Sequence, residues 1–144
     1  MIGMPVLGPF QPDPNVSVAI FSVDDTLWVV NRRALHDGPG SPGFGLLEFR
    51  DVRAHRVRSR GTDLDGPPGS WAMEVLDSEY LRHVIDEDEQ RTAEALASHR
   101  HYMVNDGNHR CVDVIARELN LAAVEGPILP ELRRLMSEFA EEFS

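Results

Sequence analysis

Short apolar runs, separated by polar turns, predict that much of this chain is β-strand. Residues 16–21 (VSVAIF) and 26–33 (TLWVVNRR) are rich in β-branched and aromatic side chains, which favours strands. The Asp24–Asp25 pair between them is typical of a tight turn, so the two strands are expected to be antiparallel. Residues 71–76 (WAMEVL) predict another short strand.

Residues 46–60 (LLEFRDVRAHRVRSR) change the parity of their apolar positions. The apolar side chains lie at 47 and 49, and then at 52 and 54. Because successive strand residues point to opposite faces, a period-2 pattern that slips by one residue indicates a β-bulge. We expect this bulge near Asp51.

Helices are expected in two segments. Asp77 and Ser78 are suitable N-caps for helical structure over residues 78–98, as two short helices or one kinked helix. Residues 131–143 carry one apolar stripe and predict an amphipathic helix. Glycine and proline mark residues 37–43 and 61–70 as loops.

These elements predict an α+β fold. We expect an extended N-terminal arm over residues 1–15 and a single domain over residues 16–144. The domain would contain a mostly antiparallel, bent sheet of about five or six strands, covered by helices at residues 78–98 and 131–143.

Charge and composition narrow the range of partners. The net charge of -10 argues against a general affinity for nucleic acid or anionic membranes, and it permits a basic partner. The chain has no lysine, so Schiff-base and phosphate-loop lysine chemistry is excluded. One cysteine excludes an internal disulfide, and no apolar run approaches the length of a membrane span. A cytoplasmic location is the expectation.

Residues 99–121 (HRHYMVNDGNHRCVDVIARELNL) hold three of the six histidines and the only cysteine. Within this stretch, residues 110–121 fit two structures. As a helix, Val112, Ile115 and Leu119 share a face; as a strand, apolar and polar residues alternate with one slip. We favour a hairpin, because Asp106–Gly107 is a strong two-residue turn signal.

A two-residue turn fixes the predicted pairing and faces of the hairpin. It would pair Arg100 with Asp113, and it would place His101 on the face opposite His109, Cys111 and Asp113. No four-ligand zinc set then forms, and His109 with Cys111 is the remaining candidate pair of metal ligands. We expect a surface histidine and a small buried thiol here, with no metal and no cofactor.

Residues 21–27 (FSVDDTL) resemble the first motif of haloacid-dehalogenase-type phosphatases. The resemblance implies that Asp24 would be the general acid and that Thr26 would occupy the threonine position of the motif. Ser22 stands where that family has its nucleophilic aspartate, and the lysine of a later motif is missing. A phosphoaspartate mechanism requires that carboxylate, so this catalysis is rejected.

Residues 106–110 (DGNHR) resemble the D-G-x-H-R loop of the ParB/sulfiredoxin-like superfamily. The resemblance implies a nucleotide- or phosphate-binding enzyme, with Asp106, His109 and Arg110 as the catalytic candidates. The ligand would be bound by Gly107, Asn108, His109 and Arg110. It requires that residues 110–121 form a helix, whose N-terminus would favour an anion.

The general layout also resembles a group of small uncharacterised bacterial proteins, through residues 47–56 (LEFRDVRAHR), 74–81 and 101–116. This resemblance implies no activity.

The arginines of residues 50–60 are interpreted as an exposed strand edge whose charges pair with Asp and Glu.

The leading functional hypothesis is therefore a non-enzymatic, acidic binding or accessory protein, of the immunity or interaction type. Its expected partner is another protein, and a homodimer through residues 131–143 is a further possibility. The alternative is the ParB/sulfiredoxin-like enzyme centred on residues 106–110.

Overall fold

A computed structural model describes residues 3–5, 18–32, 43–59, 72–87, 97–106 and 110–125, with residues 130, 133–135 and 137. These residues form nine strands and one helix of defined bounds. They are β1 (Gly3–Pro5), β2 (Ala19–Val23), β3 (Thr26–Arg32), β4 (Gly43–Arg50), β5 (Ala54–Ser59), β6 (Ala72–Val75), α1 (Glu79–Glu87), β7 (Arg100–Asp106), β8 (Arg110–Ala116) and β9 (Glu118–Glu125).

The strands form two antiparallel sheets. Sheet I has the order β1-β6-β7-β8-β5, and sheet II has the order β2-β3-β4-β9. The predicted α+β class, with one sheet covered by helices, is therefore wrong. An apolar sheet face must be buried against another element, and here sheet II covers sheet I in the place that the prediction gave to helices.

The main core lies between the two sheets. Sheet II contributes Leu27, Val29, Leu47 and Phe49, which alternate along β3 and β4 and are almost completely buried. Sheet I contributes a matching set from β6, β7 and β8, namely Ala72, Val104, Val112, Val114 and Ala116. This alternation fixes which face of sheet I points away from the core, and the polar residues discussed below lie on that outer face.

Two chain segments pass from one sheet to the other at a shared corner. β4 continues into β5 through Asp51, whose φ is 54°, and β8 continues into β9 through Arg117. Backbone bonds hold the corner: the Arg117 N–H donates to the Arg50 carbonyl at 3.1 Å, and the Arg53 N–H donates to the Ile115 carbonyl at 2.9 Å. The predicted bulge near Asp51 is thus a turn between sheets.

Residues 100–116 form a hairpin, but the predicted register was wrong. Asp106 pairs with Arg110, so three residues separate the strands where two were predicted, and Arg100 pairs with Ala116. The partner of each residue moves by three positions. Because an odd shift exchanges the faces of one strand relative to the other, His101 and Asp113 lie on the same face.

The helical predictions have mixed outcomes. α1 begins after Ser78, as the N-cap prediction requires, and residues 97 and 98 form a turn; residues 88–96 lie outside the described part. Residues 133–135 and 137 are helical, and Leu135 packs against Trp28, Val30 and Leu46 of sheet II. Of the predicted arm, residues 3–5 form β1, which pairs with β6.

Both predicted glycine- and proline-rich loops, residues 37–43 and 61–70, lie outside the described part apart from Gly43, the first residue of β4. Within that part, no helix combines the length and the apolar character that crossing a membrane would require.

Candidate functional site

Asp113 is a completely buried carboxylate on the outer face of sheet I. Its Oδ2 atom accepts hydrogen bonds from Arg56 Nε at 2.9 Å and Arg58 Nε at 2.5 Å, both on the adjacent strand β5. Its Oδ1 atom accepts a hydrogen bond from His101 Nε2 at 2.7 Å, on the other adjacent strand β7. Three cationic or polar groups on two strands therefore converge on one carboxylate.

His101 connects this carboxylate to helix α1. Since an ionised carboxylate only accepts hydrogen bonds, His101 Nε2 carries the proton and donates to Asp113. In the neutral ring, Nδ1 accepts a hydrogen bond from the Ser78 hydroxyl at 2.7 Å. Ser78 Oγ also accepts the Leu81 N–H at 2.8 Å, which makes Ser78 the N-cap of α1. We call Arg56, Arg58, Ser78, His101 and Asp113 the buried polar cluster.

Tyr80 covers the buried polar cluster on the side of α1. Its ring meets the His101 ring edge-on with 5.5 Å between centroids, and the Arg56 guanidinium lies 4.0 Å from its centroid. Arg58 also donates to Met103 Sδ at 3.4 Å. These contacts hold both guanidiniums over the sheet, so the cluster is ordered by packing as well as by charge.

The electrostatics keep Asp113 ionised. Burial alone would raise the pKa of its carboxyl, but hydrogen bonds from His101, Arg58 and Arg56 outweigh burial and hold that pKa well below its ordinary value. The hydrogen bond to Asp113 likewise raises the pKa of Arg58, although burial opposes it. A buried charge is tolerated when it is paired and hydrogen-bonded in this way.

Ser78, His101 and Asp113 are hydrogen-bonded in series, as the residues of a catalytic triad are, but their geometry differs from a triad in three respects. Ser78 is only 8% exposed and its oxygen is engaged in the helix cap. The carboxylate contacts Nε2 and the serine contacts Nδ1, the reverse of the assignment in serine-protease triads. Two arginines also share the carboxylate. The chain of hydrogen bonds is therefore suited to anchoring α1 on sheet I.

A second polar group lies at the corner between the sheets. Asp51 Oδ1 pairs with Arg53 Nη2 at 2.7 Å, and its Oδ2 lies 3.4 Å from Arg117 Nε. The buried His99 donates from Nε2 to the Asp51 carbonyl at 3.1 Å, and no hydrogen-bond partner for its Nδ1 occurs among the described residues. Burial lowers the pKa of His99, and the negative charge of Asp51 only partly opposes this. These four residues form the corner cluster.

A cavity of about 190 Å³ opens beside the corner cluster. Its walls come from the β2–β3 hairpin and from the start of β5, and they are both polar and apolar. The lining residues are Ser22, Asp24, Thr26, Leu27, Val52, Arg53, Ala54 and His55. We call this cavity the corner pocket.

Of the site residues predicted within residues 106–110, the structure describes only Asp106 and Arg110. Asp106 ends β7 and Arg110 begins β8 with an exposed side chain, while residues 107–109, including His109, lie outside the described part. Residues 110–116 are a strand, so the helix that the ParB/sulfiredoxin-like resemblance requires is not present. The anion-binding helix N-terminus is therefore missing from this position.

Of the two metal-ligand candidates, the structure describes Cys111 alone, and it also places arginines of residues 50–60. Cys111 is completely buried in an apolar cluster with Met73, Val75 and Met103. Among the residues that the structure describes, no three possible metal ligands lie together. The arginines of β5, an edge strand, do pair with an acidic residue as predicted, but both share the single buried Asp113.

Sequence reasoning missed the buried polar cluster. A charged residue inside the apolar run of residues 111–116 (CVDVIA) was the available signal, since a buried carboxylate needs partners. A search of protein-family models, curated proteins and solved structures found no match to this chain.

Proposed function

We propose that this protein is a non-catalytic binding protein whose partner is another protein with a basic surface. The observation that most supports the non-catalytic part is the burial of Ser78, His101 and Asp113 in the buried polar cluster. Ser78, the serine of the Ser78–His101–Asp113 series, is buried and caps α1. Chemistry at this serine would require α1 to leave the sheet, whereas a binding role leaves the anchor in place.

Charge supports a basic partner. The net charge of -10 repels nucleic acid and anionic membranes and accelerates association with a cationic surface. An immunity-type role, in which a small acidic protein binds and blocks a basic protein, is one form of this proposal. Self-association through residues 131–143 is a separate proposal, and in that segment Leu135 lies partly buried against sheet II.

A fluorophosphonate probe tests the non-catalytic part. Wild-type protein and the Ser78→Ala variant are incubated with the probe and with an activated ester, and the mass of each protein is measured. We expect no adduct and equal ester hydrolysis by both proteins. An adduct on Ser78 that is absent from the variant would overturn the proposal.

Isothermal titration calorimetry tests the binding part. A candidate partner is captured from the native host at low salt, identified, purified and titrated against this protein. We expect a basic protein whose affinity falls steeply with salt, because exposed charges are screened. A purified candidate that does not bind, or binds equally at high salt, contradicts the proposal, and sedimentation of the isolated protein separately tests self-association.

A further inference from the structure

The corner pocket is lined by groups of both charge signs, and these groups make few hydrogen bonds or ion pairs with the rest of the described residues. Asp24 lies at the tip of the β2–β3 hairpin, Arg53 lies just before β5, and His55 is the second residue of β5. Within the described residues, no hydrogen bond or ion pair engages the side chains of Ser22, Asp24 or His55. The pocket thus presents an unpaired carboxylate on one wall and cationic or polar groups on the other.

The corner cluster fixes the cationic wall. Asp51 holds Arg53 through Nη2 at 2.7 Å, while about a quarter of the Arg53 side chain, 26%, stays exposed. Leu27, Val52 and Ala54 add apolar surface between the charged groups. A rigid arginine beside apolar surface is pre-organised for a carboxylate, because little side-chain entropy is lost when the ligand binds.

Size and charge together define the ligand class. A dry cavity near 150 Å³ holds a benzene-sized molecule, so this cavity suits about six to ten non-hydrogen atoms. A ligand with only a negative charge would be repelled by the Asp24 carboxylate, and one with only a positive charge would be repelled by Arg53. We infer that the corner pocket binds a small zwitterion of free amino-acid size, with its ammonium group on Asp24 and its carboxylate on Arg53 and His55.

This inference goes beyond the proposed function and holds whether or not a partner protein binds elsewhere. The test titrates alanine, serine and glutamine into ¹⁵N-labelled protein, with N-acetylserine and serine methyl ester as matched probes that each lack one charge. We expect saturable shifts in residues 22–27 and 52–55 with the free amino acids. Both blocked derivatives should bind at least about tenfold more weakly, since each loses a charge-assisted hydrogen bond.

Asp24→Asn is the matched variant, because asparagine tolerates the positive φ of 51° at this position. Asp25→Asn, on the same turn but outside the lining of the pocket, is the control. We expect about a tenfold loss of affinity for serine in Asp24→Asn and no change in Asp25→Asn.

Three results would overturn the inference. They are no saturable shift with any amino acid at about 10 mM, equal binding of the blocked derivatives, or equal loss in both variants. The derivative comparison uses wild-type protein, so it decides the matter even if Asp24→Asn fails to fold.

Discussion

Replacement of Asp113 by asparagine removes one negative charge from the buried polar cluster and nearly preserves its shape. In the wild type this carboxylate is 0% exposed and accepts from Arg56, Arg58 and His101. Removal of one partner from a buried ion pair costs about 3–5 kcal/mol. Here both arginine side chains keep partial access to water, 47% and 28%, so they recover some hydration. We therefore expect Asp113→Asn to lower the free energy of unfolding by about 2–3 kcal/mol.

Asp77→Asn is the matched control, because it makes the same chemical change in an exposed ion pair. Asp77 pairs with Arg82 at 3.2 Å, with side chains 66% and 63% exposed. Such surface pairs contribute about 0–1 kcal/mol. Urea unfolding, followed by tryptophan fluorescence and circular dichroism, measures both variants. If Asp113→Asn falls within about 0.5 kcal/mol of Asp77→Asn, the reasoning about burial is refuted.

The pH dependence gives a second measurement on the same variant. The folded-state pKa of Asp113 is lowered, so its contribution to stability is fully present above the ordinary aspartate value of about 3.9. That contribution is lost as the pH falls through the folded-state pKa. The difference in stability between wild type and Asp113→Asn should therefore be constant near neutrality and shrink below about pH 4.

Variants at three further positions test the other contacts. Ser78→Ala should cost about 1–2 kcal/mol of unfolding free energy in urea, with Ser78→Thr closer to wild type because threonine also caps; equal effects would count against the cap. Burial lowers the pKa of His99, so its contribution to folding stability is present above about pH 6.5 and is lost as the pH falls through its folded-state pKa. His99→Gln should therefore flatten the stability profile below about pH 6.5, and parallel profiles would argue against this. Asp51→Ala should lower the melting temperature more than Asp51→Gly, because glycine tolerates a φ of 54°; the opposite order would exclude backbone strain there.

Local sequence patterns were enough to place most strands, since alternation and turn residues are properties of neighbouring positions. The β2–β3 hairpin, the strand at β6 and the cap at Ser78 all depend on such local features. The division of the strands into two sheets does not depend on such local features. The parity slip at Asp51 was visible, but a bulge and a corner between sheets leave the same mark on the sequence.

The buried polar cluster was missed for two physical reasons. The Asp106–Gly107 pair favours a two-residue turn, whereas the strands are separated by three residues. That one additional residue brings His101 and Asp113 onto one face, where the predicted register had put them on opposite faces. The contacts with Ser78 and Arg56 join residues 23 and 57 positions apart, which local patterns cannot reveal.

The shared corner ties the two layers of the molecule together mechanically. β4 and β9 pair in sheet II, and their continuations β5 and β8 pair in sheet I, so the same two lengths of chain belong to both sheets. Separation of one sheet would pull on the strands of the other through Asp51 and Arg117. We therefore expect the two sheets to unfold as one cooperative unit, so that a substitution that destabilises the corner lowers the stability of both sheets.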